Sequence, residues 1–257
     1  MKRFAHARCA AALLALATAR PLALATAPQF ALAMAAQLAL ASAAQAHIPA
    51  LESVARAAAD ASRAQGRNKA FSFAVLVRTA ASTAPIAQGE LLADPRGSAR
   101  IELRHEQGFT ERQLRSAAGL RAARDSAPLE APQPLAPPVW LVQAATGGEL
   151  LARAGELGAA PGVIALGHDG ARDCYVIGGV SGGPALWIDK DTYQVARVDL
   201  ADGTTYRFLA WATRGGTLLP GRIEVETPSA SFELELTTAT PAKPAPDAFS
   251  EAWLAGH

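Results

Sequence analysis

Short stretches in which apolar and polar residues alternate recur between residues 71 and 236, and this period of two most constrains the fold. Successive side chains of an extended strand point to opposite faces, so alternation marks a strand with one buried and one wet face. Phe71, Phe73, Val75 and Val77 share such a face, and Ala99, Ile101 and Leu103 alternate with Arg100, Glu102 and Arg104. Ile223 and Val225 alternate with Arg222, Glu224 and Glu226, and Phe232, Leu234 and Leu236 with Glu233 and Glu235. Further strands are expected at 86–94, 109–116, 163–167, 174–178, 185–189, 193–200 and 204–211. Turn signals separate them, notably Asp94-Pro95-Arg96-Gly97 and the hairpin pair Asp202-Gly203. The pattern is an antiparallel meander.

Helical spacing is sparse by comparison. Pro49 suits a first helical turn, and Leu51, Val54, Ala58 and Ala61 fall on one helix face, with Gly66 as a stop. Trp140, Leu141, Ala144 and Ala145 suggest a short helix. Thr146-Gly-Gly-Glu149 has the form of a capping box and opens a second helix to about Leu157. Asp247 is placed to cap a last short helix carrying Phe249 and Trp253. Five prolines between 125 and 138 mark a loop, read as lying within one domain because neither side alone looks complete. One broad sheet thus has three modest helices to cover its dry face. So thin a cover favours a curled sheet with an apolar hollow.

The amino-terminal 46 residues differ from the rest. Lys2, Arg3 and Arg8 precede the apolar run 10–19, and Ala44-Gln45-Ala46 forms a small-residue cleavage pattern before His47. That order is the signature of a secretory signal, so residues 1–46 are expected to be removed and 47–257 to form the mature domain. Neither apolar block reaches the roughly 20 residues of a membrane-spanning helix. Of 24 Lys and Arg, four lie in this segment, which leaves 20 basic against 23 acidic residues in a mildly acidic body. Such a body carries no electrostatic footprint for nucleic acid. Cys174 is the single cysteine after the signal, so no internal disulfide and no Cys-x-x-Cys centre is available.

The stretch 185–200, Ala-Leu-Trp-Ile-Asp-Lys-Asp-Thr-Tyr-Gln-Val-Ala-Arg-Val-Asp-Leu, resembles the outer-membrane lipoprotein-sorting (LolA/LolB-like) family. So do Asp202-Gly-Thr-Thr-Tyr-Arg-Phe208, Trp211, and Leu218-Leu-Pro-Gly-Arg-Ile-Glu-Val-Glu226. The resemblance implies an α+β fold, an incomplete antiparallel β-barrel wrapped around a few helices with an apolar cavity for acyl chains. It implies a periplasmic, non-enzymatic carrier or chaperone that needs no cofactor. Its partners would be lipid or lipoprotein acyl chains and a lipoprotein-handling protein of the inner or outer membrane. The expected lining residues are Phe73, Val75, Ile101, Leu103, Trp140, Leu141, Val198, Tyr206, Phe208, Ile223, Val225 and Phe232. The Pro-rich insertion before Trp140 departs from the family pattern.

Two other functions compete. The same fold serves protein-binding sensors in relatives, though little chain remains after Leu236 for a recognition domain. Gly179-Val-Ser181-Gly-Gly-Pro184 satisfies G-x-S-x-G, which points to a secreted serine hydrolase using Ser181. No histidine stands in a matching context, and a serine without a base is a weak nucleophile. A strand after Pro184 also argues against the strand-to-helix elbow such enzymes need. His168-Asp169 with Asp173 reads as a solvated turn, not a metal centre.

Overall fold

The computed structural model describes residues 48–63, 69–179, 182–214 and 216–256. The expected signal segment 1–46, His47, the helix stop at Gly66 and Ser181 lie outside the described residues.

Helix α1 (Leu51–Arg63) opens the described chain. The first strands are β1 (Ala70–Thr79), β2 (Ala87–Asp94), β3 (Ser98–His105), β4 (Thr110–Ser116), β5 (Gly119–Arg124) and β6 (Ala127–Pro128). The 3-10 helix Val139–Gln143 and α2 (Gly147–Glu156) follow. Next come β7 (Ile164–Asp169), β8 (Arg172–Gly178), β9 (Ala185–Asp189), β10 (Val195–Asp199) and β11 (Thr205–Leu209). The last elements are β12 (Ala212–Arg214), β13 (Thr217–Leu219), β14 (Arg222–Glu226), β15 (Ser231–Ala242) and α3 (Glu251–Ala255).

Among the described residues thirteen strands form one antiparallel sheet in the order β6-β5-β4-β3-β2-β1-β15-β14-β11-β10-β9-β8-β7, with β12 and β13 as a separate pair. The sheet has two ends and is not closed into a barrel. It is nevertheless strongly curled. β4 and β11 stand six strand spacings apart, roughly 29 Å on a flat sheet. Arg115 of β4 still reaches Tyr206 of β11 at 2.7 Å, which only a curved sheet permits. One contributor is Gly89 in β2: a Cβ there would lie 1.8 Å from the Glu102 carbonyl oxygen of β3. Only glycine allows this approach, as at bends of strongly coiled sheets.

The alternating positions read from sequence occupy the concave face. Paired residues across β1, β2 and β3, such as Phe73, Leu91 and Ile101, point inward together and are fully buried. The convex face carries charge ladders: Arg78 pairs with Glu235, Arg112 with Glu102, and Arg207 with Glu226. α1, the 3-10 helix and α2 cover the concave side and join its apolar cluster through Val54, Ala58, Trp140 and Leu150. α3 sits on the convex side, where Arg100 lies 4.6 Å over the Trp253 ring and donates to the Ala248 carbonyl at 3.1 Å.

Several expectations are corrected in detail. Ser250, not Asp247, caps the last helix, its hydroxyl accepting from Trp253 N at 3.3 Å. Of the expected capping box at Thr146 one half forms, with Thr146 Oγ1 accepting from Glu149 N at 3.1 Å. Glu149 Oε2 instead takes the Ala145 N–H, at 2.6 Å. β15 runs six residues beyond Leu236, through Pro241. Because β14 pairs only as far as Glu235, this stretch has one bare edge, the place where a sheet tolerates proline. The single strand expected over 218–226 is divided into β13 and β14, and β5 and β12 carry too weak an alternation to be read from sequence.

Candidate functional site: the interior of the half-barrel

The twelve expected lining residues converge on the concave face. Phe73 and Val75 come from β1, Ile101 and Leu103 from β3, Val198 from β10, Tyr206 and Phe208 from β11, Ile223 and Val225 from β14, and Phe232 from β15. Register brings them together: Val225 stands opposite both Tyr206 and Phe232, Ile223 opposite Phe208, and Val198 opposite Tyr206. Trp140 and Leu141 descend onto this surface from the 3-10 helix. All belong to one apolar cluster, and all but Phe232 have at most 2% of their surface exposed. The hollow expected from sequence is thus occupied in this conformation by the chain itself. The Pro-rich segment, taken as a loop, enters the interior as a strap, with Leu135, Ala136 and Val139 buried.

How the strap is held follows from its composition. Proline has no N–H, so Pro134, Pro137 and Pro138 donate nothing to a ladder, and the carbonyls around them need donors from elsewhere. β4 supplies them. Its register with β3 sets Arg115 opposite Ala99, Gln113 opposite Ile101 and Glu111 opposite Leu103, so three polar side chains face the dry interior. Arg115 Nε donates to the Ala136 carbonyl at 2.6 Å, and Arg115 Nη2 to Tyr206 Oη at 2.7 Å. The Tyr206 hydroxyl donates in turn to the Pro134 carbonyl at 2.8 Å. Burial pushes the Tyr206 phenol up to about 12 against the opposing pull of Arg115, so it keeps its proton and remains a donor.

Gln113 completes the lock. Its Nε2 donates to the Gln133 carbonyl and to Glu111 Oε1, each at 2.6 Å. Its Oε1 accepts from Leu135 N at 2.9 Å and Ala136 N at 3.0 Å. On the other side of the strap, Arg153 of α2 donates to the Trp140 carbonyl at 2.8 Å and pairs with Glu149. The cover over an apolar surface is therefore fastened by polar bonds to its main chain. Tyr206 has a second task here beyond lining. Glu111, Gln113 and Arg115 escaped the sequence reading because 110–116 is polar at every position except Leu114, which leaves no apolar phase to indicate the inner face. Leu114 in fact faces outward, opposite Arg100.

Near this lock His105 stacks on Phe109, with ring centroids 4.1 Å apart, and its Nε2 lies 3.8 Å from Glu111 without a hydrogen bond. Burial lowers its pKa, partly offset by Glu111, so the imidazole is neutral at pH 7. The other sequence candidates do not converge. His168 pairs with Asp173 at 2.8 Å in the exposed β7–β8 hairpin, whereas Asp169 is buried against Arg207 at 2.9 Å and Arg172 at 2.6 Å. Asp169 is thus an ion-pair centre, not part of a solvated turn. Of the residues near Ser181 in sequence, Gly179 N donates to the Pro184 carbonyl at 2.8 Å. A strand follows Pro184, not a helix.

No family model matches the chain, and no curated protein matches it. Among solved structures, it resembles LolA superfamily members. One is a LolA superfamily protein from Nitrosomonas europaea, 12% identical over 80% of this chain and 100% of that one, with a TM-score of 0.47. A second is an outer membrane lipoprotein-sorting protein domain, described as putative, from Vibrio parahaemolyticus: 13% identity, 80% and 100% coverage, TM-score 0.39. A DUF1329 family protein from Desulfovibrio piger is also similar, at 13% identity, 79% and 98% coverage and a TM-score of 0.35.

Proposed function

We propose that the chain is a periplasmic carrier that takes up acyl chains of a lipid or lipoprotein on the concave face of its open sheet. On this reading residues 1–46 are an export signal, and 47–257 form the carrier. The observation that carries it is the polar lock over an apolar interior. Leu135, Ala136, Trp140 and Leu141 cover the concave face, yet the strap's attachment to β4 and β11 runs through hydrogen bonds from Arg115, Gln113 and Tyr206. Such bonds are exchanged for water at a net cost of about 0.5–1.5 kcal/mol each between neutral groups and about 1.5–3 kcal/mol each from the Arg115 guanidinium. Lifting the strap would bare Phe73, Ile101, Phe208 and Val225 together. An acyl chain laid there replaces the strap's apolar contacts and gains about 0.8 kcal/mol per buried methylene. The carrier then needs area more than polar anchors, in keeping with a lining of aliphatic and aromatic residues. The reaction is transfer without bond making, which requires no cofactor, and the downstream partner is a lipoprotein-handling protein of the envelope.

Native mass spectrometry of protein taken from a bacterial periplasm, together with displacement of a fluorescent fatty acid, tests this reading. Co-purified lipid and saturable displacement are expected. An empty protein that neither binds nor releases the probe overturns it.

A further inference from the structure

Two buried side-chain polar atoms have no hydrogen-bond partner among the described residues, and one of them is His105 Nε2. An unpaired buried polar atom in a native fold calls for an explanation. His105 ends β3 in phase with Ile101 and Leu103, so its ring lies on the inward face, beside the polar row Glu111, Gln113 and Arg115. β2 sets the uncharged Ala87 opposite it, and Phe109 stacks on it with centroids 4.1 Å apart. Two charged groups face it. Glu111 Oε2 of β4 lies 3.8 Å from Nε2, and Arg124 of β5 lies 3.4 Å from that same oxygen and 4.2 Å over the Phe109 ring.

The other oxygen of Glu111 belongs to the strap lock. Oε1 accepts from Gln113 Nε2 at 2.6 Å. An ionised carboxylate only accepts, so it fixes which end of the Gln113 amide turns toward it. With Nε2 directed at Glu111 and the Gln133 carbonyl, Gln113 Oε1 is left to face the N–H groups of Leu135 and Ala136. Glu111 therefore orients the amide that binds the strap's main chain at three points. Glu111 is itself 4% exposed, so water does not stand in for it in the closed state.

We propose that His105 is an acid-sensitive release for the strap: its protonation draws Glu111 away from Gln113 and opens the cover as pH falls from 7 to 5. This regulation rests on reading the strap as the cover of the acyl site. Neutral His105 leaves Glu111 to Gln113 and Arg124. An imidazolium makes Nε2 a charged donor, for which Glu111 is the adjacent charge-assisted acceptor and Phe109 a favourable ring face. Gln113 then loses the group that orients it, and the strap's N–H groups lose their fixed acceptor. Linkage gives the same sign. Burial holds the His105 pKa below its ordinary 6.5 in the closed state, with Glu111 opposing and Arg124 adding to the shift. A proton thus binds more tightly to a state in which His105 escapes that burial, and acid populates it.

Amide exchange of the full chain without lipid, at pH 7 and pH 5 and corrected for the intrinsic rate at each pH, tests this. With an open-state pKa near 6.5, the opening constant at Leu135 and Ala136 should rise severalfold, up to about 25-fold. Val75 and Leu234 in the central strands should keep their protection. His105→Phe retains a ring against Phe109 but takes no proton, and it should abolish the step. His105→Gln is a second neutral replacement and should do the same, with circular dichroism checking that each variant is folded. No step in the wild-type chain overturns the proposal. So does a step that persists in a folded neutral variant, or equal quickening at Val75 and Leu234, which is acid unfolding of the whole domain. Release of a fluorescent fatty acid is read separately and should be faster at pH 5. A chain that takes up no fatty acid at either pH refutes the carrier reading, while the exchange step still establishes His105 as the release of the strap.

Discussion

Replacing Arg115 by methionine keeps the length and apolar stem of the side chain and deletes its charge and donors. Arg115 is 3% exposed, so the loss is not made good by water in the closed state. Two bonds go: Nε to the Ala136 carbonyl and Nη2 to Tyr206 Oη, together with the guanidinium's contact 5.4 Å from the Tyr206 ring centre. Hydrogen bonds involving a charged group contribute about 1.5–3 kcal/mol each, so the gross loss is roughly 3–6 kcal/mol. A buried charge no longer has to be desolvated, which returns part of it. A net destabilisation of about 2–4 kcal/mol is expected, read as a lower urea midpoint at unchanged slope. The loss should be local. Amide exchange at Leu135 and Ala136 should quicken while Val75 and Leu234 in the central strands keep their protection, and fatty-acid uptake should accelerate. Tyr206→Phe breaks the same chain of bonds, so the double variant should fall short of additivity by about 0.5–3 kcal/mol. A loss under about 1 kcal/mol with unchanged exchange at Leu135 and Ala136 would refute the lock.

Phe208→Ala should cost about 3–5 kcal/mol in urea unfolding, because Phe208 is wholly buried in the closed interior, and it should also alter fatty-acid affinity; a full packing loss with unchanged binding removes Phe208 from the lining. Burial raises the pKa of Asp169, but hydrogen bonds and charge from Arg207 and Arg172 outweigh it and hold the carboxyl below its ordinary 3.8. Its contribution is therefore present above about pH 4 and lost as pH falls through the lower folded value, so Asp169→Asn should flatten the acid limb of a stability-versus-pH profile. Burial pushes the Cys174 thiol up to about 11, so a disulfide reagent at pH 8 should leave it unlabelled in native protein and label it fully in urea. Gly89→Ala should cost more than about 2 kcal/mol by thermal unfolding, since its Cβ would collide with the Glu102 carbonyl.

Strands with a clean apolar phase were legible because period two is local information. Phe71 to Val77, Ala99 to Leu103, Ile223 with Val225, and Phe232 to Leu236 each declare their inner face without knowledge of their neighbours. The Asp202-Gly203 turn and the Thr146 cap were legible for the same reason, since each is chemistry within four residues. β4 was not. Its inner face is polar, and the register with β3 alone shows that Glu111, Gln113 and Arg115 look inward. The strap was read as a loop because prolines forbid regular structure, and nothing local says whether an irregular segment lies outside or within.

What the sequence by itself determined is a set of amphipathic strands, their turns and an apolar face awaiting cover, all properties of neighbouring residues and the fixed geometry of the extended chain. Only the tertiary structure decided how that face is covered. Curling the sheet brings β4 and β11 within reach of one another across six strand spacings, and Arg115 and Tyr206, 91 positions apart in sequence, then share one hydrogen bond. The partners of the Pro134 and Ala136 carbonyls depend on that curvature. Curvature is a property of the assembled sheet, set by accumulated strand twist and by the close approach at Gly89, and no single stretch of sequence contains it.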